Sequence, residues 1–492
     1  MTTPTVPHGQ RWQADLTMPA PGLAESLATD PAEVLADRFR SLAARAVDVL
    51  QIAAALESSG ITDRVARVQY GYADVFELAQ AVRDRTGVVL QASRPAVRRP
   101  WLEQLRDIGH GALYLLPVVL FPAAFAAVGS SRLILAVVLV GALGWVWSGV
   151  VAWMAYRLVS DRRPGAAADL WRWASLGSLP VAAAVAAVTA DVTGIGHATT
   201  SVTVLALAQM AYQLAAAVLM FYRREGLLLA VMLPAVTGAA GYLLWGAEKL
   251  PVAVAASLVC VAVVFGLALR EASLHGRLSR GDLLPRGIAD RWSAAVPVAV
   301  FTGLSAAYFL WPQARHVLVR YDVAVALLPV VVGMGVVEWR AREFVVAARG
   351  VLAQVGDPAA FVRGVWLRLC WGLAVCVVVV AALGVGLLAM LERTGLGLVS
   401  PVAVSRPALV MAAAAAGLAG AYYLGFVLAN LGRYAVLSGS LALCLAGYVV
   451  AGWVVAGDAL ADAVAFLSAT VVLIGCFLVG LVGRVSRAHL YR

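Results

Sequence analysis

Hydrophobic and polar positions change their pattern near residue 109. Before it, short stretches carry apolar residues at helical spacing; beyond it come long runs that are apolar on every side. Residues 33–57 predict one helix. Gly60 and a Thr62–Asp63 start then open a second. The stretch YADVFELAQAVRDR predicts a third, with Val75, Phe76, Leu78, Ala79 and Val82 on one side. Residues 33–92 are thus expected to form a small helical cytoplasmic domain. It lies between a flexible, Pro/Ala/Thr-rich tail (1–32) and a basic linker (93–108) containing SRPAVRRPW.

From residue 109 twelve runs reach the roughly 20 apolar residues that a membrane crossing needs. They fall near 109–128, 132–155, 173–190, 201–221, 226–246, 250–269, 292–311, 321–338, 366–391, 407–429, 434–456 and 462–483. The expected fold class is therefore an all-α polytopic membrane protein of about twelve transmembrane helices. Two six-helix halves suggest themselves, 109–269 and 292–483, joined by a cytoplasmic connector (270–291) and followed by a tail (484–492). LPVVLFPAAFAA (116–127) and VPVAVFTGLSAA (296–307) share Pro, Val, Phe and a closing Ala-Ala, as a repeat would, although so Ala/Val-rich a chain also matches by chance.

Composition agrees with this class. The chain is 62% hydrophobic with a mean hydropathy of +0.85, more apolar surface than a soluble core absorbs. The net charge of +10 is not a nucleic-acid footprint, because the N-terminal helices have no basic face. The excess cations cluster instead in loops on one side of the predicted spans, so they report orientation. They place both termini in the cytoplasm and the chain in the cell membrane. With no apolar run before about residue 110, no signal peptide is expected. Lys249 is the only lysine, a bias that reads as a GC-rich, bacterial genome. The five cysteines lie in apolar spans without a CxxC pair, so neither disulfides nor a metal site are indicated, and no cofactor is expected. GxSxG, HExxH, HxxxxD and P-loop patterns are absent, so no catalytic residues are nominated and the chain is not expected to be an enzyme.

One segment combines both patterns. In VVVGMGVVEWRAREFVVAARGVLAQVGD (330–357) an apolar run ends on Glu338, and arginines follow at once. Glu338 is expected at the inner interface, able to pair with Arg340 or Arg342. Residues 339–356 put Phe344, Val345, Ala348, Val351, Leu352 and Val355 on one face. That predicts an amphipathic helix lying in the membrane plane. It serves either as a topological anchor or as a moving element beside a transport pathway.

Other candidates are sparse. Gln209 and Gln213, a turn apart around Tyr212, are the deepest polar pair and suit either a pathway or ordinary interhelical bonding. Tyr422, Tyr423 and Asn430 could line a glycan path, with an interfacial or packing role equally open for Asn430. Asp322 and Arg406, near outer span ends, could close a gate by pairing, or stand as isolated rim charges. Pro117, Pro122, Pro234, Pro297 and Pro329 would kink their helices.

Pro329, Glu338, Trp339 and Phe344, followed by the climb into the next span, resemble the inner-membrane exporters of Pel-type exopolysaccharide. These belong to the multidrug/oligosaccharidyl-lipid/polysaccharide flippase superfamily. AYYLGFVLANLGRYAVL (421–437) also resembles the late spans of such flippases, and the similarity runs over about 290–440. Further tyrosines of the family motif are replaced by Val345, Val346 and Ala347. The resemblance implies alternating-access export of a polysaccharide or lipid-linked glycan, with the bilayer, a glycan and a cytoplasmic or membrane assembly partner as interactors. Two other readings stay open: a scaffold recruiting partners through its N-terminal domain, and a small-molecule secondary transporter.

Overall fold

The computed structural model describes residues 30–43, 46, 49–86, 104, 108–109, 111, 113, 116, 133–194, 199–278, 288–316, 320–354, 358–394, 404–455 and 457–487. The chain divides into two compact units, Met1–Val97 and Arg98–Arg492. Among the described residues all regular elements are helical.

The first unit holds α1 (Pro31–Ala43), α2 (Val49–Ser58), α3 (Asp63–Gln69) and α4 (Val75–Arg85). The single helix expected over 33–57 is in fact two. Both α1 and α2 pack on α4, which one continuous rod of that length could not do. Leu35, Ile52, Leu56, Ala66, Val75, Leu78 and Val82 form the core. Phe76, expected on the same side as Val75, is half exposed, since adjacent helical positions diverge by about 100°. Asp74 caps α4 by accepting the Glu77 N–H at 2.8 Å, and Glu77 accepts the Ala73 N–H at 2.6 Å. Asp30, bonded to Arg85 at 2.8 Å, has its carboxyl held below the usual range, first by the Ala32 N–H and then by Arg85.

The second unit comprises α5 (Leu133–Ser160), α6 (Pro164–Val192), α7 (Thr199–Phe221), α8 (Glu225–Trp245), α9 (Leu250–Leu278), α10 (Ile288–His316), α11 (Tyr321–Val325), α12 (Leu328–Gln354), α13 (Pro358–Thr394), α14 (Arg406–Asn430), α15 (Tyr434–Val454) and α16 (Ala459–Leu481). Among the described residues, eleven segments are long and apolar enough to cross a membrane, with α11 and α12 forming one of them. The first expected span, 109–128, lies almost wholly outside the described residues, as do most of the 93–108 linker, the centre of the connector and the tail beyond 487.

Two separate apolar cores fill this unit. One runs from Leu113 to Ala295, the other from Tyr308 to Val485. Their packing follows one scheme. In the first half α5 packs on α6 and α7, α6 on α7, and α9 on α7 and α8; in the second α12 packs on α13 and α14, α13 on α14, and α16 on α14 and α15, while the packing of α9 on α6 is scarcely repeated by α16 on α13. Equivalent helices lie six spans apart and so run the same way, which is the arrangement of a parallel repeat about an axis along the membrane normal. At the centre of the scheme sit α7 and α14, both largely enclosed by their neighbours.

The halves meet where small residues let backbones approach. On α5 and α10, Gly149 faces Thr302, and Gly303 faces Val146; a Cβ on Gly149 would lie 3.1 Å from the Thr302 methyl. A second approach brings Gly111 against Val332 and Gly335 against Ile108, where any Cβ would strike backbone.

Two segments depart from expectation. Pro329 does not kink a continuous span but sits in the first turn of α12, after a break at Ala326–Leu327 that leaves α11 as a buried half-helix. And 339–356 is not a separate helix in the membrane plane: α12 continues without interruption from Leu328 to Gln354. The reason is a competing surface. Phe344, Ala348 and Val351 bury their stripe with Phe361, Val365 and Leu369 of α13, and Gly364 makes room for Val351. The 37 residues of α13 reach about 55 Å, well past a hydrocarbon layer of about 30 Å, so the α12–α13 hairpin extends beyond it.

Three helix turns at one end of the unit share a geometry. After α5, α7 and α14 the chain turns through Arg162 (φ 59°), Arg223 (φ 57°) and Gly432 (φ 70°). The following N–H groups bond back to Leu158, Leu219 and Leu428 at 2.8, 2.7 and 3.0 Å. The turns after α7 and α14 are equivalents in the repeat, and only the second has the glycine this backbone favours. Arg223→Gly is therefore expected to stabilise the α7–α8 turn by about 1 kcal/mol, the cost of left-handed backbone with a Cβ. Amide exchange at 222–228 should slow about five-fold; unchanged or faster exchange would contradict the assignment.

Candidate functional site

Side-chain chemistry gathers at the two ends of the second bundle. At the end carrying the 161–163, 222–224 and 431–433 turns, α12 presents two local ion pairs. Glu338 pairs with Arg342 at 3.4 Å and Arg340 with Glu343 at 2.5 Å. Their (i,i+4) and (i,i+3) spacing stacks each pair along one face. Arg340 is nearly buried, its guanidinium 5.2 Å from the Trp339 ring centroid, and its Nε has no hydrogen-bond partner. This end also bridges the bundles. Tyr156 of α5 lies within the electrostatic reach of Arg342 and Glu338, and the Tyr434 hydroxyl on α15 interacts with Trp153 of α5. Arg157 covers the Trp153 ring at 4.6 Å.

The opposite end holds the most deeply buried charge. Asp462, in the first turn of α16, is 2% exposed. Its Oδ2 accepts the Tyr448 hydroxyl at 2.9 Å and meets His316 Nε2 at 2.7 Å, while Arg315 Nη1 lies 2.7 Å from Oδ1. The arginine contact is a charge contact rather than an aligned hydrogen bond, since Oδ1 has no bonded donor and Nη2 of Arg315 donates to the Gly452 carbonyl. A carboxylate this buried persists only with such partners. Three helices, α10, α15 and α16, are fastened by it. Behind the cluster Phe466 sits between Tyr308 and Tyr448, with ring centroids 5.3 and 5.1 Å away, and Tyr308 shares a 3.3 Å contact with Thr470.

Four residues past His316, Arg320 contacts Asp322 at 3.3 Å, and Asp322 also accepts the Ser405 hydroxyl. Of the two readings left open for Asp322 and Arg406, a pair or isolated rim charges, the structure gives Asp322 other partners, Arg320 and Ser405. Ser405 is the N-cap of α14, and its oxygen accepts the Ala408 N–H while its proton goes to Asp322; Arg406, one position on, is exposed. Segment 315–322 thus supplies partners to one buried acid and carries the other.

The remaining candidates pack. Gln213 donates to the Gly141 carbonyl at 3.2 Å, and Gly144 gives its amide room; Gln209 is half-buried on the same helix. Between them Tyr212 reaches the Leu113 carbonyl at 2.8 Å. Tyr422 and Tyr423, expected along a path, are both buried in the second core. Tyr422 bonds the Ser305 carbonyl at 3.1 Å, whereas the Tyr423 hydroxyl has no partner and abuts Gly372. Asn430 is exposed at the end of α14. Among the described residues no three His, Cys, Asp or Glu side chains gather as a metal site.

No family model matches the chain, and no curated protein matches it either. Among solved structures it is similar to the eukaryotic MATE transporter AtDTX14, with a TM-score of 0.46 and 13% identity over 79% of this chain and 98% of that one. A likeness at that level carries no inference about activity.

Asp462→Ala would strand Arg315 and His316 beside a buried void. A loss of about 3–5 kcal/mol is expected, as for other broken buried pairs. In detergent-purified protein this appears as a clear drop in unfolding temperature. The double substitution Arg315→Met with Asp462→Leu should regain much of it; a double variant as unstable as Asp462→Ala alone would show that the two charges are not coupled.

Proposed function

We propose that this chain is a membrane transporter that works by alternating access, its two helix bundles rocking about the glycine-lined approaches between them. The observation that carries the reading is the pair of separately cored bundles with one packing scheme. Cores are close-packed and move as units, so relative motion is easiest where few large side chains interlock. The polar groups facing each other at the α12 end, Glu338 and Arg342 near Tyr156 and Tyr434 near Trp153, are those that such motion would draw apart. They are exchangeable ion pairs and hydroxyls rather than packed apolar chains.

On this reading the arginine-rich end faces the cytoplasm, where positive loops are favoured, and both termini lie there, in the cell membrane. The cargo we infer is a polysaccharide or lipid-linked glycan of a bacterial cell, exported without covalent chemistry by the protein itself. The substrate class rests on the resemblance around Glu338. Glu338 and the α12 extension would then couple movement of the inner gate to a proton or to an assembly partner. The test is surface and secreted carbohydrate in a deletion strain with and without a complementing copy. A glycan lost on deletion and restored by complementation is the expected result, and an unchanged profile in cells that express the gene would sink it. Glu338→Gln should leave the protein inserted and folded yet lower export several-fold; full export from that variant would remove Glu338 from the mechanism.

A second reading, a scaffold, is favoured by the separate core of the N-terminal unit. Removing residues 1–100 separates the two. A scaffold loses its function outright, whereas a transporter keeps measurable export.

A further inference from the structure

Between α15 and α16, at the arginine-rich end, runs a groove of about 690 Å³. Its walls are largely apolar, with Val436 and Ser440 on one helix and Val472, Cys476 and Val479 on the other, and Gly475 keeps its floor low. Arg433 and Arg484 stand together on its lining. Arg433 directly precedes the first turn of α15, and Arg484 follows the last turn of α16. Among the described residues neither guanidinium takes part in a salt bridge, unlike Arg315, Arg320, Arg340 and Arg342, each of which has a carboxylate.

We propose that this groove is a binding site for an anionic phospholipid, one acyl chain lying along the valine walls and the phosphate held between Arg433 and Arg484. Three features favour that occupant. The groove lies between two membrane-crossing helices, so its length is at hydrocarbon depth and excludes a soluble ligand. Its charged end coincides with the helix termini, where headgroups lie. Two unpaired guanidiniums beside the amino end of a helix then present planar donors and a positive dipole to one phosphate. A zwitterionic lipid would fill the same apolar walls but bring its own cation to the arginines. The site is independent of the transport reading.

The test uses full-length protein in detergent, with dioleoyl phosphatidylglycerol and dioleoyl phosphatidylcholine as probes and bound lipid counted by native mass spectrometry. Phosphatidylglycerol is expected to bind at least ten-fold more tightly. The Arg433→Ala/Arg484→Ala double variant should erase that preference, while Arg162→Ala/Arg349→Ala, at the same end but outside the groove, should keep it. A Cβ at Gly475 meets open space, so Gly475→Leu fills the groove without disturbing the helix. It should weaken phosphatidylglycerol binding about ten-fold with both arginines present. Equal binding of the two lipids by the unaltered protein, survival of the preference in the double variant, or its loss in the Arg162/Arg349 control would overturn the proposal. Unaltered binding by Gly475→Leu would do the same.

Discussion

In hydrocarbon every polar group must find its partner inside the protein, and the second unit is organised around that demand. Backbone groups meet it by forming helices. Side chains meet it by where they are placed. Most ionisable groups of this unit stand at helix ends, where water or headgroups are within reach. Asp462 also stands at a helix end, yet it is buried, and it fixes the local architecture. With 2% of its surface exposed, it holds only because α10 brings Arg315 and His316 to it and α15 brings Tyr448. The same demand explains Ser405, whose hydroxyl caps α14 and satisfies Asp322 in one arrangement.

Apolar packing sets the larger plan. Each bundle is centred on an alanine-rich helix, α7 or α14, that its neighbours enclose, and each has a core that stops short of the other. At Gly149, Gly303, Gly111 and Gly335 there is no side chain to interlock, so backbones meet backbones or short groups. Such contacts gain dispersion energy without interlocking, while along the same seam Trp145 of α5 packs edge-on to Phe309 of α10 with ring centroids 6.0 Å apart. Polar and aromatic bridges at the α12 end add the interactions that hold the bundles in the arrangement seen here.

The spans among the described residues and the helical character of the N-terminal unit were legible in the sequence because long apolar runs and helical periodicity act locally. What competes over distance was not. Nothing in 339–356 announces that Phe361, Val365 and Leu369 would draw its apolar stripe into a hairpin and away from the membrane surface. Whether Arg406 pairs with Asp322 stayed open in the sequence because charge is visible there and capping geometry is not. His316 and Asp462 are 146 positions apart, and each alone reads as a residue near a membrane boundary. The one local signal for the acid site is the run Arg315–His316 followed by Arg320 and Asp322, four ionisable residues ending one apolar run and opening the next. The turns through Arg223 and Gly432 hide the repeat for a different reason. They share a backbone conformation while sharing only an arginine in sequence.

The two bundles share a packing scheme but not a chemistry. Within the first, the neutral Tyr212 and Gln213 tie its own helices together, with Gln209 half-buried beside them. Its ion pairs among the described residues include Arg172 with Asp169 at 3.3 Å and Arg224 with Glu271 at 3.8 Å. The second bundle carries Asp322 and Asp462 with their arginines at one end and the Glu338–Arg342 and Arg340–Glu343 pairs at the other. A repeat of packing with the most buried acids kept on one side divides the chemistry of the two bundles. The first holds Glu271 beside Arg224 and His275 at the arginine-rich end. The acids with almost no exposed surface among the described residues, Asp322 and Asp462, lie in the second, where α12 links the broken turn beside Asp322 to the pairs at the far end in one continuous helix.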